Sequence, residues 1–217
     1  METAYPETAE PFFIPGPAGR LELMASRPEP ADDCNVVAVV CHPHPQHGGT
    51  MHNKVVTILE RALRELGAHV VLFNFRGVGH SEGEYDQGEG EVADLLAVVE
   101  WSQQALPGRT LWLAGFSFGA WIACRGAMQV QARRLLNVAP AVNHADFDAI
   151  GDPHCPWLVI IGDADEIVPV GEVRAWAERH PARPRLLVME EASHFFHRRL
   201  MDLRGLVKNA VRRELEG

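Results

Sequence analysis

The chain has 217 residues, which is enough for one well-buried core and few for two. Hydrophobic residues make up 47% and charged residues 23%, the balance of an ordinary globular protein. The formal net charge of -9 at pH 7 repels phosphate backbones, so we expect no nucleic-acid partner.

The first half of the chain alternates apolar strands with helical patterns. Residues 12–14 and 20–25 flank the turn sequence PGPAG, which predicts an antiparallel hairpin. The continuous β-branched run VVAVVC (36–41) is typical of a strand that is buried on both faces of a sheet. A helix over 52–67 with a glycine stop follows, and then a second buried strand over 69–75.

The second half of the chain continues this alternation. The predicted helices cover 91–106, 117–128, 170–180 and 197–215, and the predicted strands cover 109–115, 133–140, 156–162 and 185–190. The pattern predicts one α/β domain over residues 1–217. We expect a mostly parallel sheet of about eight strands, antiparallel at its start, with helices on both faces.

The N-terminal segment METAYPETAEPFF is acidic and contains two prolines, so it lacks the basic start and apolar middle of a signal peptide. No apolar stretch approaches the roughly 18 residues that span a bilayer. We therefore expect a cytoplasmic protein without a membrane partner. The four cysteines are widely spaced and form no CxxC pair, which favours buried thiols.

One pentapeptide, GFSFG (115–119), matches G-x-S-x-G where a predicted strand meets a predicted helix. In that setting the serine lies at the apex of a sharp, strained turn, and the two glycines avoid collisions with the neighbouring strand and helix. The Ser117 hydroxyl then projects above the sheet at a helix N-terminus, where partial positive charge favours a developing anion. The alternative is a glycine-rich turn whose serine only caps the helix.

A serine nucleophile needs a base within hydrogen-bond reach and a carboxylate that orients the base. Two later loops carry these residue types. The loop after the strand at 156–162 contains Asp163 and Asp165, and the loop after the strand at 185–190 contains His194. Both loops leave the carboxyl ends of predicted parallel strands, the edge at which open α/β sheets place their sites.

The chain resembles an α/β-hydrolase over nearly all of its length. GFSFG resembles the nucleophile elbow of that family, GDADEIVP resembles its acid loop and assigns Asp165, and ASHFF resembles its histidine loop and assigns His194. The stretches HPHPQHGGTMHNKVV and FNFRGVGHSEG are similar to a group of small bacterial serine hydrolases without a lid, relatives of dienelactone hydrolase and carboxylesterases. Because the usual nucleophile of dienelactone hydrolase is cysteine, Ser117 points away from that particular activity.

Other residues of the same types are interpreted as structural. Asp163 is expected to cap the loop or helix that follows it. His180 and His197 are interpreted as solvated surface residues. Ser81 and Ser193 lack the strand–turn–helix setting, and Ser81 is expected to cap backbone groups in its turn-rich loop.

The oxyanion of a tetrahedral intermediate needs two backbone N–H donors. Phe118 follows the nucleophile and is expected to supply the first donor. The second is expected from the loop HPHPQHGG, where the prolines have no N–H and leave His44 and Gln46 as candidates. The family resemblance favours His44.

A metal site is an alternative role for four histidines: His42, His44, His47 and His52. Alternating His-Pro points His42 and His44 in different directions, and no acidic residue lies within the stretch to complete a ligand set. We therefore interpret these histidines as lining and supporting the loop, and expect no metal and no cofactor. Arg76 is interpreted as part of a structural ion pair that holds its loop, with binding of an anionic substrate group as the alternative. Trp121 is interpreted as a core residue.

About fifteen residues separate the strand that ends near Ala139 from the strand that begins at Pro156, which leaves no space for a helical lid. We expect a lidless serine hydrolase, a monomer or small homo-oligomer, that cleaves small soluble carboxylic esters or thioesters through an acyl-enzyme on Ser117. Peroxide or amide chemistry by the same triad, and a non-catalytic binding module with this fold, are the alternatives.

Overall fold

The computed structural model describes residues 4–29 and 32–216, and the order of elements within them is the predicted one. The eight strands are β1 (Phe12–Gly16), β2 (Gly19–Ser26), β3 (Val36–Cys41), β4 (Ala68–Phe73), β5 (Thr110–Phe116), β6 (Arg134–Val138), β7 (Trp157–Gly162) and β8 (Arg185–Met189). The five helices are α1 (Lys54–Arg64), α2 (Glu89–Ala105), α3 (Phe118–Ala127), α4 (Val170–Arg179) and α5 (Leu200–Glu216). None of these helices combines the length and apolarity that a membrane crossing requires.

The strands form a single sheet in the order β1-β2-β4-β3-β5-β6-β7-β8. β2 pairs antiparallel with both β1 and β4, and every other pair is parallel. Helices that cross between successive parallel strands produce this arrangement. The predicted class, a mostly parallel α/β sheet that starts antiparallel, is confirmed.

Helices cover both faces of the sheet, so alternate residues of a central strand belong to different core layers. In β3, Val37 and Val39 pack in the layer that holds α2, α3 and α4, whereas Ala38 and Val40 pack in the layer under α1 and α5. Every residue of β3 is buried. Burial on both faces explains why this strand is apolar throughout instead of alternating.

The last helix begins later than the sequence predicts. Phe196 and Arg198 have φ angles of 52° and 62°. These values lie in the left-handed region, which a right-handed helix cannot include. The helix α5 therefore begins at Leu200, and His197 lies in the turn before it.

Because β3, β5, β7 and β8 run parallel, their carboxyl ends lie at the same edge of the sheet. The loops that leave this edge carry His44, Ser117, Asp165 and His194. Between β6 and β7, residues 139–156 contain neither helix nor strand. This edge is therefore lidless, as predicted.

Candidate active site

Ser117 occupies the turn between β5 and α3. Its φ of 56° and ψ of -117° lie outside the regions that residues other than glycine ordinarily adopt. Its N–H donates to the Val138 carbonyl oxygen at 2.9 Å, so the neighbouring strand holds the strained turn in place. The hydroxyl makes no capping hydrogen bond to α3. The alternative interpretation of Ser117 as a helix cap is therefore wrong.

Two glycines make this turn possible because backbone segments approach each other closely around it. A Cβ on Gly115 would overlap the carbonyl oxygen of Gly119. A Cβ on Gly119 would overlap the carbonyl oxygens of Cys41 and His42, at the end of β3. Main-chain atoms cannot move aside as a flexible side chain can, so both positions require glycine.

The side chains of Ser117, His194 and Asp165, which are far apart in the sequence, form one hydrogen-bonded path. Ser117 Oγ lies 3.2 Å from His194 Nε2, and His194 Nδ1 lies 2.8 Å from Asp165 Oδ2. The side chains of His194 and Asp165 are 3% and 0% exposed. Burial removes competing water from both hydrogen bonds of the imidazole.

The direction of this path follows from the partners of Asp165. Its second oxygen, Oδ1, accepts hydrogen bonds from the N–H groups of Ile167 at 2.9 Å and Val168 at 2.7 Å. A carboxylate only accepts, so His194 carries its proton on Nδ1 and donates it to Asp165. The Nε2 lone pair of His194 is then free to accept the Ser117 hydroxyl proton.

The rival aspartate, Asp163, holds the histidine loop instead of contacting the imidazole. Its Oδ1 accepts from the N–H of Glu191 at 2.7 Å, across the gap between the two loops. Glu166 acts similarly, because its Oε2 accepts from the backbone N–H of His194 at 3.1 Å. The sequence predicts that Asp163 caps its own segment. It does not predict either contact between the loops, because each donor lies about thirty residues away from its acceptor along the chain.

His180 is buried, so its interpretation as a solvated surface residue is wrong. Its ring packs against Trp157 and Trp176, with centroid distances of 5.0 Å and 5.4 Å. Its Nε2 lies 2.9 Å from the carbonyl oxygen of Ile150. The two tryptophans bring the end of α4 into the core. His197 is exposed, as predicted.

Two backbone N–H groups beside Ser117 have no acceptor among residues 4–29 and 32–216. They belong to His44 and Phe118, and both residues line the same cavity as Ser117. The competing candidate, Gln46, is occupied because its N–H donates to His44 Nδ1 at 3.2 Å. Of the two predicted loop donors, the structure leaves His44 available.

Comparison with known proteins identifies the family of this chain. A family model described as the alpha/beta hydrolase fold matches residues 45–139. An uncharacterized protein of Rickettsia prowazekii is 36% identical over 196 residues, which cover 85% of this chain and 81% of that protein. A solved a/b serine hydrolase without lid from Xanthomonas campestris is 48% identical, covers 97% of this chain and 96% of its own, and superposes with a TM-score of 0.92.

The chain belongs to the α/β-hydrolase family. A solved alpha-beta serine hydrolase homologue from Coxiella burnetii supports the same assignment, with 47% identity, coverage of 95% of this chain and 99% of that chain, and a TM-score of 0.92. The Xanthomonas protein is a serine hydrolase without lid, and the Coxiella protein is a serine hydrolase homologue.

The histidines near the start of this α/β-hydrolase do not converge on one point. His42 is fully buried, its Nδ1 lies 2.6 Å from the Pro43 carbonyl oxygen, and its Nε2 accepts from the Phe75 N–H at 3.1 Å. Burial lowers the pKa of His42 to about 3, so the ring stays neutral. His52 lines a separate cavity of about 440 Å³. Among the described residues, no three His, Cys, Asp or Glu side chains are grouped to hold a metal ion.

A cleft of about 670 Å³ lies over Ser117 and His194. The loops after β3, β4, β6, β7 and β8 line it together with the first turn of α3. The β6–β7 loop forms one wall and is tied to its neighbours, since Asn143 Nδ2 donates to the Ile167 carbonyl oxygen at 3.0 Å. The volume is in the usual range for a small-molecule site.

Trp121 packs against the core, as predicted, but it also lines this cleft. Its Nε1 donates to the Asp146 carbonyl oxygen at 3.2 Å, which links α3 to the β6–β7 loop. Trp121 follows Ser117 by four residues, and helical spacing places such residues on one face. That spacing is the signal in the sequence from which Trp121 could have been recognised as a neighbour of the nucleophile.

The loop after β4 is held by polar contacts, as predicted for Arg76 and Ser81. The buried Arg76 guanidinium pairs with Asp94, with Nη2 at 2.8 Å from Oδ1. Ser81 Oγ donates to the Asn74 carbonyl oxygen at 2.7 Å and accepts from the Glu22 N–H at 2.9 Å. Its charge is engaged by Asp94, and Arg76 is not among the residues that line the cleft over Ser117.

Proposed function

We propose that the protein hydrolyses small soluble carboxylic esters or thioesters through an acyl-enzyme on Ser117. The observation that carries the proposal is the hydrogen-bonded path from Ser117 through His194 to Asp165 at the wall of the cleft. Such a path supplies a weak hydroxyl nucleophile with its base, and the base with a carboxylate that fixes its tautomer.

In the acylation step, Ser117 Oγ attacks the acyl carbon while His194 Nε2 takes the hydroxyl proton. The negative charge that develops on the carbonyl oxygen is stabilised by the N–H groups of His44 and Phe118. The imidazolium, stabilised by Asp165, returns the proton to the leaving alcohol or thiol. A water molecule deprotonated by the same imidazole then attacks the acyl-enzyme and releases the acid.

The open β6–β7 connection supports hydrolysis over acyl transfer. Residues 139–156 form a wall of the cleft without a helix that closes over it. Water therefore reaches the acyl-enzyme and competes with other acceptors.

A graded substrate panel tests the proposed activity. We expect the wild-type protein to turn over at least one 4-nitrophenyl ester or thioester, in a series from acetyl to dodecanoyl, with saturable kinetics. The Ser117→Ala variant supplies the background rate. Peroxide-dependent halogenation and anilide cleavage are assayed beside it. Activity only in those assays would replace ester hydrolysis by one of the alternatives, and a folded protein inactive in all of them would favour a binding module.

A further inference from the structure

A directed chain of hydrogen bonds runs from the β3–α1 loop into the cleft. The Gln46 N–H donates to His44 Nδ1 at 3.2 Å, which makes this nitrogen an acceptor. The proton of the neutral ring is therefore on Nε2, which lies 3.2 Å from the Tyr85 hydroxyl oxygen. His44 donates this hydrogen bond, and Tyr85 accepts it.

The surroundings keep both groups in these protonation states at neutral pH. Burial lowers the pKa of His44, and the neighbouring His47 and His144 lower it further. Burial raises the pKa of the Tyr85 hydroxyl, with a second contribution from the Glu91 carboxylate. The ring of His44 therefore stays neutral and Tyr85 keeps its proton.

The Tyr85 hydroxyl makes a single hydrogen bond within the described part of the chain. Its oxygen accepts from His44, and no acceptor for its own O–H lies among the residues that the structure describes. Tyr85 lines the cleft that contains Ser117. The chain of hydrogen bonds thus ends in a free donor that faces the substrate space.

The ring of Tyr85 belongs to a connected group of aromatic rings. Tyr85 and Phe118 lie 6.0 Å apart, His44 lies 5.0 Å from Tyr85 and 4.9 Å from Phe118, and Trp121 lies 5.8 Å from Phe118, all between ring centroids. His44 and Phe118 are the residues whose N–H groups are available beside Ser117. A flat group that contacts these rings would therefore lie next to the scissile carbonyl.

The charges near Tyr85 favour a neutral partner for its hydroxyl. The charge of the Glu91 carboxylate acts on the Tyr85 hydroxyl, and Asp146 lines the cleft. Arg76, the cation of the same loop, is paired with Asp94. Among the described residues, no Arg or Lys lines the cleft. A carboxylate or phosphate on the substrate would therefore approach these acids without a cation to pair with, whereas an uncharged oxygen would accept from Tyr85 at no such cost.

We propose that Tyr85 is a specificity-determining residue that donates a hydrogen bond to an uncharged oxygen on the substrate, and that the substrates are neutral aromatic esters whose ring carries such an oxygen. This inference rests on the proposed ester hydrolysis for its turnover assay. Its hydrogen-bond component is measured separately by binding.

The turnover test compares methoxy-substituted esters with methyl-substituted ones. Two series of substrates are used. In 4-nitrophenyl benzoates the methoxy or methyl group is at the meta or para position of the benzoyl ring, and in phenyl acetates it is at the same positions of the phenyl ring. We expect the methoxy-to-methyl ratio of kcat/KM to be about tenfold higher in the wild type than in Tyr85→Phe for at least one position. Tyr85→Phe keeps the aromatic ring of the side chain. Because both proteins cleave the same substrates, the comparison cancels the electronic difference between the methoxy and methyl groups. A change below threefold at every position would overturn the proposal.

The binding test separates this inference from the proposed function. If neither the wild type nor Tyr85→Phe cleaves 4-nitrophenyl acetate, the ester activity fails, but calorimetry with methoxy- and methylbenzamides still measures the donor. We expect a methoxybenzamide to bind the wild type about tenfold tighter than its methyl counterpart, and Tyr85→Phe to lose that preference. The same preference in both proteins, or none in either, would refute the role of Tyr85.

Discussion

We expect Ser117→Ala to lower kcat for an activated short-chain ester by about four orders of magnitude or more. The variant removes the hydroxyl that lies 3.2 Å from His194 Nε2, so no acyl-enzyme forms. Alanine tolerates the left-handed φ of 56° no worse than serine, and the residue's N–H bond to Val138 is retained. Burst and steady-state kinetics with 4-nitrophenyl acetate measure the loss, and thermal unfolding checks the fold.

A matched control for this variant is Ser193→Ala, which removes a hydroxyl from the histidine loop itself. Ser193 Oγ accepts only a long hydrogen bond from the His197 N–H, at 3.4 Å. We expect its kcat to stay within about threefold of the wild type. If Ser117→Ala kept more than a tenth of the wild-type kcat, Ser117 would not be the nucleophile.

The second large effect is expected from Asp165→Asn, which should lower kcat by about 10⁴-fold. The asparagine oxygen would keep the hydrogen bonds from Ile167 and Val168, so its NH₂ group would face His194 Nδ1. The imidazole would then place its proton on Nε2 and lose the lone pair that accepts the Ser117 proton. Measurement of kcat and KM would show a loss confined to kcat.

Asp163→Asn provides the comparison, because it makes the same chemical change two residues away. Its side chain keeps an oxygen that can accept from the Glu191 N–H. We expect kcat within about threefold of the wild type. Equal losses in the two variants would mean that the acid loop acts as a structural unit and that Asp165 has no distinct role.

The fold was predictable because local pattern and global topology agree. VVAVVC is apolar at every position, and the structure buries it on both faces. GFSFG fits a strand-to-helix turn, and overlap with main-chain atoms at Gly115 and Gly119 shows why no other residue serves there. The start of α5 was missed since the left-handed residues before it, Phe196 and Arg198, carry no local signal of that conformation.

The site was only partly predictable, since side-chain partners come from distant loops. The order of residues along the chain and the family resemblance selected Asp165 and His194 for the contact with Ser117. Neither could predict that the Gln46 N–H donates a hydrogen bond to His44 Nδ1, because the backbone path of the loop determines that contact.

Tyr85 was missed for the same reason. Its loop carries no motif that marks a cleft residue, and only the packing of the chain brings its hydroxyl to within 3.2 Å of His44 Nε2. Trp121, by contrast, was within reach of a helical-spacing argument from Ser117.

Site-resolved labelling with a fluorophosphonate probe tests the central claim, that His194 and Asp165 activate Ser117, most directly. Mass spectrometry of the wild-type protein should show one adduct, located on Ser117, and none on Ser117→Ala. His194→Ala should be labelled slower by about a thousandfold or more. An adduct on another residue, or labelling of His194→Ala at the wild-type rate, would contradict the account.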